Sequence, residues 1–225
     1  MSAPYGRTFA LWRAAAGPDW DGYTRHPFVE GLGDGSLPQS EFMAYLVQDY
    51  LFLGHFARAW ALATVKAGDL DEMRACAATV ATLLDHELDH HARTCAQAGI
   101  PAEALALAEE ADTTIAYTRY VLDAGLSGGF PDMLAALMPC VLGYGEIGLR
   151  LAREAAPDTP YRDWIDAYAG ERYQNACHRA GALLDRAIDR RLGARAQESP
   201  MWFDLARRFA TATRLEISFW DLGRA

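Results

Sequence analysis

Apolar residues recur at helical spacing in nearly every segment of this 225-residue chain, and strand signals are almost absent. Alternating stretches of β-branched residues are missing, whereas alanine and leucine dominate. No internal repeat is visible, and no linker rich in Pro, Gly or Ser divides the sequence. The sequence therefore predicts an all-α fold in which residues 1–225 form a single-domain helical bundle.

Capping and turn residues set the ends of the predicted helices. Asp69 is the expected cap of one of them, directly after Gly68. Seven or eight helices are expected, at about residues 8–16, 26–32, 38–67, 69–98, 103–124, 131–155, 160–192 and 200–222. Several of their inward faces carry polar residues, and these faces are where we expect the chemistry of the protein.

Charge and hydropathy narrow the classes of partner. The formal net charge is −9, and no basic cluster of the kind that binds nucleic acid is present. An acidic surface also disfavours anionic membranes, and we expect no apolar run long enough to span one. The N-terminal residues MSAPYGRTFALWR lack the long apolar segment of a signal peptide. We therefore expect a cytoplasmic protein with neither nucleic acid nor membrane as its partner.

The cysteines do not form a recognisable framework. They are widely spaced and include no Cys-x-x-Cys pair: Cys76, Cys95, Cys140 and Cys177. In a reducing compartment such residues are expected to be thiols rather than disulfides or zinc ligands.

Cys140 differs from the other three in its local sequence. It directly follows Pro139 inside the apolar helical run ALMPCVLGYGEIG, where proline removes a backbone hydrogen bond and bends the helix. Tyr144 lies at i+4, on the same helix face. Cys140 is either a nucleophile in a pocket or an ordinary buried cysteine. Glu146, at i+6, lies well off that face and is given no catalytic role.

Two carboxylates are predicted on aromatic helix faces. Asp49 shares a face with Phe52 and Phe56, where an unpaired charge would be costly. It either lies at the edge of that face and pairs with an arginine, or belongs to a functional site. Glu216 lies one helical turn from Phe219. It is either exposed at the rim or a general acid/base with a raised pKa.

A charged helical segment offers a competing interpretation. Glu87 and His90 form a Glu-x-x-His pair, the unit that di-iron bundles use twice, and His86 lies four residues before His90. A di-iron site needs a second such pair, which we do not find. Pairing between acids and basic residues along a solvated helix face explains the segment equally well. We expect no metal and no other cofactor.

Five segments in order resemble the TenA family, the thiaminase II proteins, in its cysteine-containing branch. They are HPFVEGLGDGSLP, QDYLFLGHFAR, LSGGFPDMLAALMPCVLGYGEIG, WIDAYAG and LEISFWDLG, and the resemblance covers nearly the whole chain. It implies an all-α fold of the haem-oxygenase type, often assembled as a homotetramer, without a haem.

The resemblance also implies the site residues. It makes Cys140 the nucleophile and Glu216 the catalytic acid/base. The substrate-binding residues that it implies are Asp49, which anchors the pyrimidine, and the rings of Phe52, Tyr117, Tyr144 and Tyr168. Phe52 stands where the family often has tyrosine. Gly143, Gly145 and Gly148 thin the helix near Cys140 and are expected to make room for the ligand.

The implied activity is hydrolysis at the methylene carbon of a small-molecule pyrimidine. The substrate is thiamin or 4-amino-5-aminomethyl-2-methylpyrimidine, and the product is the hydroxymethylpyrimidine of thiamin salvage. The sequence does not rank these substrates. Two alternatives stay open: an oxygen-using enzyme of the same fold, cofactorless or di-iron, and a non-catalytic pyrimidine-binding regulator.

Overall fold

The computed structural model describes residues 5–224 of the protein, with the backbone alone for residues 223 and 224. Over this range the chain is helical and contains no strand, so the prediction of an all-α fold is confirmed. The α-helices are α1 (Arg7–Ala16), α2 (Pro18–Thr24), α3 (Pro27–Asp34), α4 (Gln39–Lys66), α5 (Leu70–Thr82), α6 (Leu88–Gln97), α7 (Ala102–Leu107), α8 (Asp112–Ser127), α9 (Phe130–Glu154), α10 (Arg162–Ala169), α11 (Glu171–Leu192) and α12 (Pro200–Trp220). A π-helical turn at Leu83–Glu87 joins α5 to α6, and short 3-10 turns cover Ala196–Glu198 and Asp221–Arg224.

Several predicted helices are divided in the structure. The one expected at 160–192 breaks at Gly170, whose ψ of 149° is extended rather than helical, and so gives α10 and α11. The one expected at 69–98 contains the π-helical turn, and the one at 103–124 is split into α7 and α8. Asp69 caps α5 as predicted, because its carboxylate accepts a hydrogen bond from the backbone N–H of Glu72 at 2.8 Å.

Helix α9 corrects the expectation that no apolar run reaches the length of a membrane span. Among the described helices it alone is long and apolar enough to cross a membrane. However, 78% of its most apolar 18-residue stretch is buried inside the protein. A core helix of a globular protein has this character.

Contacts between backbone positions group the described chain into two compact units. The first unit comprises residues 5–37 and 134–217, and the second comprises residues 38–133 and 218–224. Helices α9 and α12 therefore contribute residues to both units. The single domain predicted over residues 1–225 stays a prediction.

An aromatic cluster forms the core of the first unit. The rings of Trp20 and Phe209 stack at 5.6 Å between centroids, and Phe9 meets Trp20 edge-on at 5.4 Å. Such ring pairs add to the free energy gained from burial alone. They bring together α1, α2 and α12 within this unit.

Helix α1 is held on α11 by a borrowed cap and by a close backbone approach. Its own cap position is Gly6, which has no side chain to accept a hydrogen bond. The carboxylate of Asp185 accepts instead from the backbone N–H groups of Arg7, at 2.9 Å, and Thr8, at 2.8 Å. At Gly181 of α11, an added Cβ would lie 1.5 Å from the carbonyl oxygen of Tyr5. Only glycine permits this contact.

Helix α4 is the centre of the second unit, where α5, the π-helical turn, α6 and α8 pack against it. Its buried residues include a large polar and aromatic set at helical spacing: Tyr45, Asp49, Phe52, Phe56 and Trp60. Gln48 ties the start of α8 to this helix, because its side chain accepts from Thr114 Oγ1 at 2.7 Å and from the Ala111 N–H at 3.0 Å.

The approach of α11 to Tyr5 gives a test of the packing in the first unit. We expect Gly181→Ala to lower the free energy of unfolding by about 3 kcal/mol, because the clash is with backbone and no side chain can move aside. Urea denaturation followed by circular dichroism measures the change. The matched control is Gly54→Ala in α4, whose Cβ would meet only Arg58 at 3.7 Å. It should stabilise its helix by about 0.5–1 kcal/mol. Equal stability of Gly181→Ala and wild type would contradict the packing.

Candidate active site

In the first unit, side chains of other helices bond the backbone of α9 around Cys140. The hydroxyl of Tyr23 donates to the carbonyl of Pro139 at 3.4 Å, and that of Tyr173 donates to the carbonyl of Val141 at 3.1 Å. Pro139 lies inside the helix, as predicted. These bonds hold the residue on either side of Cys140, so α9 presents the cysteine from a braced segment of helix.

Cys140 also differs from the other cysteines in exposure. None of the four forms a disulfide; three are buried completely, whereas Cys140 is half-buried. Burial raises the pKa of Cys76 and of Cys177 to about 12, and burial together with the charge of Asp49 raises the pKa of Cys95. The description of an ordinary buried cysteine therefore fits the other three and not Cys140.

Aromatic rings accompany Cys140 in the same unit. Tyr144 and Tyr168 lie 5.0 Å apart between ring centroids, and Trp164 lies 4.5 Å from Tyr168 and 6.0 Å from Tyr144. Tyr173 meets Tyr168 edge-on at 4.8 Å. The sequence predicted Tyr144 and Tyr168 but missed Trp164 and Tyr173. Trp164 could have been predicted from the sequence, because it precedes Tyr168 by four residues on the same face of α10.

The glycines of α9 make room for protein rather than for a ligand. An added Cβ at Gly143 would lie 2.2 Å from the ring of Tyr23, and one at Gly148 would lie 2.6 Å from the backbone of Tyr168. One at Gly145 would lie 2.6 Å from the sulfur of Cys177. The expectation that these glycines make room for the ligand is therefore wrong. They let the neighbouring helices approach α9 closely.

Glu216 lies on the buried face of α12. Its exposed fraction is 1%, and it lies eleven, seven and four residues after the buried residues Leu205, Phe209 and Ala212, on the same helix face. The alternative of a glutamate exposed at the rim is therefore wrong. The sequence placed the apolar face around Leu215, which is only half-buried. A carboxylate in so buried a position is a candidate general acid/base.

In the second unit, Asp49 is paired with a histidine. The carboxylate is 4% exposed, so it does not lie at the edge of its helix face. Its Oδ2 lies 2.6 Å from Nε2 of His91 and accepts a hydrogen bond of 3.3 Å from the hydroxyl of Tyr45. The expected arginine partner is therefore wrong. A buried histidine in the next helix but one takes that place.

The hydrogen bonds of His91 define the protons that it carries. Its Nδ1 lies 3.0 Å from the carbonyl oxygen of Glu87, which can only accept, so Nδ1 carries a hydrogen. Its Nε2 faces the Asp49 carboxylate, and a second proton lies in that contact. Burial lowers the pKa of His91, but the charge and hydrogen bond of Asp49 outweigh burial and leave this pKa raised.

The sequence missed His91 because the neighbouring histidines matched a metal motif. His86 and His90 are exposed, and no group of three or more His, Cys, Asp or Glu side chains within residues 5–222 is arranged to hold a metal ion. One signal was available. His91 lies four residues before Cys95, a residue type that is usually buried, so these two residues share a helix face from which His90 is absent.

Two further predicted residues lie with Asp49 in the second unit. Phe52 is 3% and Tyr117 is 1% exposed, and their ring centroids are 4.9 Å apart. Phe52 also stacks on Phe56 at 5.3 Å and contacts Phe219 at 5.4 Å. The structure thus brings Phe52 and Tyr117 together in one aromatic cluster.

Glu146 belongs to a separate charged feature of the first unit. Its carboxylate pairs with Arg13 at 2.6 Å. Both residues line a polar cavity of about 270 Å³ together with Arg150 and Arg153, and none of the predicted site residues lines it. Glu146 therefore has a structural ion pair as its observed role.

Comparison of the sequence with known proteins places this chain in a family. The family model described as the TENA/THI-4/PQQC family matches residues 13–225. An aminopyrimidine aminohydrolase of Halalkalibacterium halodurans is 38% identical over 209 residues, which is 92% of this chain and 91% of that protein. An aminopyrimidine aminohydrolase of Helicobacter pylori is 31% identical over 205 residues, covering 90% and 92% of the two chains.

Solved protein structures also resemble the structure of this chain. A protein of Silicibacter sp. TM1040, described as a TenA family transcription regulator, superposes with a TM-score of 0.97 and 53% identity over 99% of each chain. A TenA homologue of P. horikoshii, at 24% identity and a TM-score of 0.84, shows the same fold. The chain belongs to the TENA/THI-4/PQQC family. The predicted family and its fold of the haem-oxygenase type are confirmed, and the chain is an enzyme of that family.

The pairing of His91 with Asp49 predicts how stability depends on pH. Because the pKa of His91 is raised in the folded state, its contribution is fully present below the unfolded value, about 6.5, and is lost as pH rises through the folded value. We expect His91→Leu to lower the free energy of unfolding by about 3 kcal/mol near pH 6, since it leaves Asp49 buried without its partner. The deficit should shrink toward pH 9.5.

Urea denaturation at a series of pH values between 6 and 9.5 measures this deficit. His90→Gln, in the adjacent exposed position, is the matched control and should follow wild type at every pH. A deficit that is the same across the whole range would contradict a charged His91.

Proposed function

We propose that this enzyme hydrolyses the C–N bond at the methylene carbon of 4-amino-5-aminomethyl-2-methylpyrimidine. The products are ammonia and the hydroxymethylpyrimidine that thiamin synthesis reuses. The observation that carries the proposal is the half-buried thiol of Cys140, on a braced helix in a chain related to aminopyrimidine aminohydrolases. Since an amine is a poor leaving group from a methylene carbon, direct displacement by water would be slow, and a covalent route is needed.

In the first half of the reaction, Cys140 gives its proton to Glu216, and its sulfur adds to the ring carbon beside the one that bears the methylene. The electron pair moves onto the ring. The ring then expels the amine, which leaves as ammonia with the proton that Glu216 returns. The burial of Glu216 supports this role, because a carboxyl group shielded from bulk water is a suitable general acid/base.

In the second half, water adds to the exposed methylene carbon and gives a proton to Glu216. The ring electrons then expel the sulfur of Cys140, which recovers its proton from Glu216. Enzyme and thiol return to their starting state, so no further reactant is needed. Glu216 acts as a base in each addition and as an acid in each departure.

Asp49 is the proposed anchor of the pyrimidine. Its carboxylate would accept hydrogen bonds from the ring edge and stabilise the charge that develops on the ring during addition. The rings of Phe52 and Tyr117 would flank the pyrimidine, and those of Tyr144 and Tyr168 would position the thiol or the ring. The contact of Phe52 with Tyr117 and that of Tyr144 with Tyr168 support their role as aromatic surfaces for the ring.

We also propose a cytoplasmic homotetramer, as the family resemblance implies. Four unlinked cysteines suit a reducing compartment. Several large apolar side chains of the second unit are exposed, among them Val65, Leu107 and Leu126. Such side chains are commonly covered when copies associate. Light scattering after size-exclusion chromatography would measure the number of chains.

Substitution of the two proposed catalytic residues tests the function. We expect Cys140→Ser and Glu216→Gln each to lower kcat/KM for the aminomethylpyrimidine by about 10²–10⁴-fold, because each removes a proton or electron-pair transfer from the reaction. Ammonia release and product chromatography measure turnover, with thiamin assayed in parallel.

The control is Cys76→Ala, since Cys76 is buried and its pKa is about 12. It should keep wild-type kcat/KM. Near-normal turnover by Cys140→Ser would contradict the covalent mechanism. A wild-type protein whose melting temperature rises with the pyrimidine but which turns nothing over would instead be a regulator.

Phe52 allows a test of substrate contact at the position where the family often has tyrosine. We expect Phe52→Tyr to lower KM about threefold with kcat within about twofold, because a hydroxyl would add one hydrogen bond of about 0.5–1 kcal/mol to the bound pyrimidine. Phe56→Tyr, one turn further along the buried face, controls for the cost of burying a hydroxyl. A KM that is unchanged or raised in Phe52→Tyr would show that this position does not contact the substrate.

A further inference from the structure

The pair of Asp49 and His91 carries a definite arrangement of charge. Nδ1 of His91 must bear a hydrogen because it faces the carbonyl oxygen of Glu87 at 3.0 Å. A separation of 2.6 Å between Nε2 and Asp49 Oδ2 requires a second proton between these atoms, since two lone pairs would repel. Burial lowers the pKa of His91, but the charge and hydrogen bond of Asp49 outweigh burial and raise it, which places this proton on the imidazole and makes the pair an imidazolium bonded to a carboxylate, with both side chains at about 95% burial.

The neighbouring groups favour this charge state. Tyr45, from α4, donates its hydroxyl to the same Oδ2 atom at 3.3 Å. Glu87 and Cys95 lie in the same stretch of chain as His91, which comprises the π-helical turn and α6. The charge of Glu87 adds to the charge of Asp49 in favouring the imidazolium, and the Cys95 thiol stays protonated because burial and Asp49 raise its pKa. The remaining titratable side chain with a described contact to the pair is the exposed His90, whose ring meets that of His91 edge-on at 6.1 Å between centroids.

Without His91, the carboxyl group of Asp49 would have different hydrogen-bonding properties. A carboxyl buried among aromatic rings without a cation takes up a proton, because burial penalises its charged form. A protonated carboxyl donates a hydrogen bond, whereas a carboxylate can only accept. His91 thus decides whether Asp49 offers a donor or an acceptor to a ligand.

Both contacts of Asp49 fall on Oδ2, and Oδ1 is the atom left for a ligand. A neutral 4-aminopyrimidine presents a lone pair at the ring nitrogen beside its amino group, which an anionic oxygen repels. The N-protonated ring presents N–H groups along the whole edge, and these match a carboxylate. Protonation also withdraws electrons from the ring, which favours addition of a thiolate.

We propose that His91 is a positioning residue that keeps Asp49 ionised, so that the enzyme selects the N-protonated form of its aminopyrimidine. This inference rests on the proposed function. It assigns His91 no contact with the substrate. Its effect passes through Asp49.

Binding of the reaction product tests the inference without turnover. The probe is 4-amino-5-hydroxymethyl-2-methylpyrimidine, titrated calorimetrically between pH 5.5 and 8.5. For wild type we expect Kd to rise about tenfold per pH unit above the pKa of the ligand ring, because the protonated fraction falls by that factor. His91→Gln keeps a donor toward Asp49 but no charge. It should bind about 10–100-fold more weakly at pH 5.5 and lose most of the pH dependence.

Asp49→Asn provides the complementary variant, since its amide offers both a donor and an acceptor to the neutral ring. Its Kd should hardly change with pH. The matched control His90→Gln, in the adjacent exposed position, should keep the wild-type slope. A wild-type Kd that does not depend on pH, or a His91→Gln variant with the wild-type slope and affinity, overturns the inference.

Nitrogen-15 NMR of histidine-labelled wild-type protein keeps the inference testable if His91→Gln does not fold. We expect one histidine to hold protons on both ring nitrogens at pH 8, and Asp49→Asn to abolish that signature. A neutral ring for every histidine at pH 8 overturns the inference.

Turnover distinguishes the two proposals. A pH-dependent Kd without hydrolysis contradicts only the proposed function, and hydrolysis with a pH-independent Kd contradicts only the role of His91.

Discussion

Placing a carboxylate on an apolar helix face is costly, and each unit of this protein contains such a carboxylate. Asp49 is buried among aromatic rings of α4, and Glu216 is buried on the inner face of α12. A desolvated charge persists only with compensating hydrogen bonds or an opposite charge. For Asp49 that compensation comes from His91 and Tyr45. Helix α6 carries His91 and must pack against α4 at this point to supply the opposite charge. The charge of Asp49 and the packing of the second unit therefore depend on each other.

Around Cys140 the main constraint is steric. Glycines at three positions of α9 let a tyrosine ring, a cysteine sulfur and a backbone segment approach closer than any side chain would allow. Two tyrosine hydroxyls then bond carbonyls on either side of the cysteine. A helix containing proline is normally a weak point. Here side chains of neighbouring helices bond the backbone on both sides of Cys140, which holds the half-buried thiol in place.

Relatives of this chain carry unlike descriptions, an aminohydrolase in some cases and a transcription regulator in another. The residues themselves favour the enzyme. A binding protein for a pyrimidine needs aromatic surfaces and an anchor for the ring edge. It does not need a half-buried thiol next to a proline inside a helix, nor a glutamate that is 99% buried. These two residues are costly or unnecessary for binding and useful for covalent catalysis.

The sequence by itself determined the helical class, the cap at Asp69, the extent of α4 and the order of motifs that identifies the family. These follow from local periodicity, capping chemistry and the identity of short segments. The tertiary structure alone decided that Gly170 divides a predicted helix, that the α9 glycines receive protein atoms, and that Glu216 is buried. It also decided the partner of Asp49, because His91 is 42 residues away in the chain. Spacing along a helix shows which residues share a face, but burial and charge pairing depend on what packs against that face.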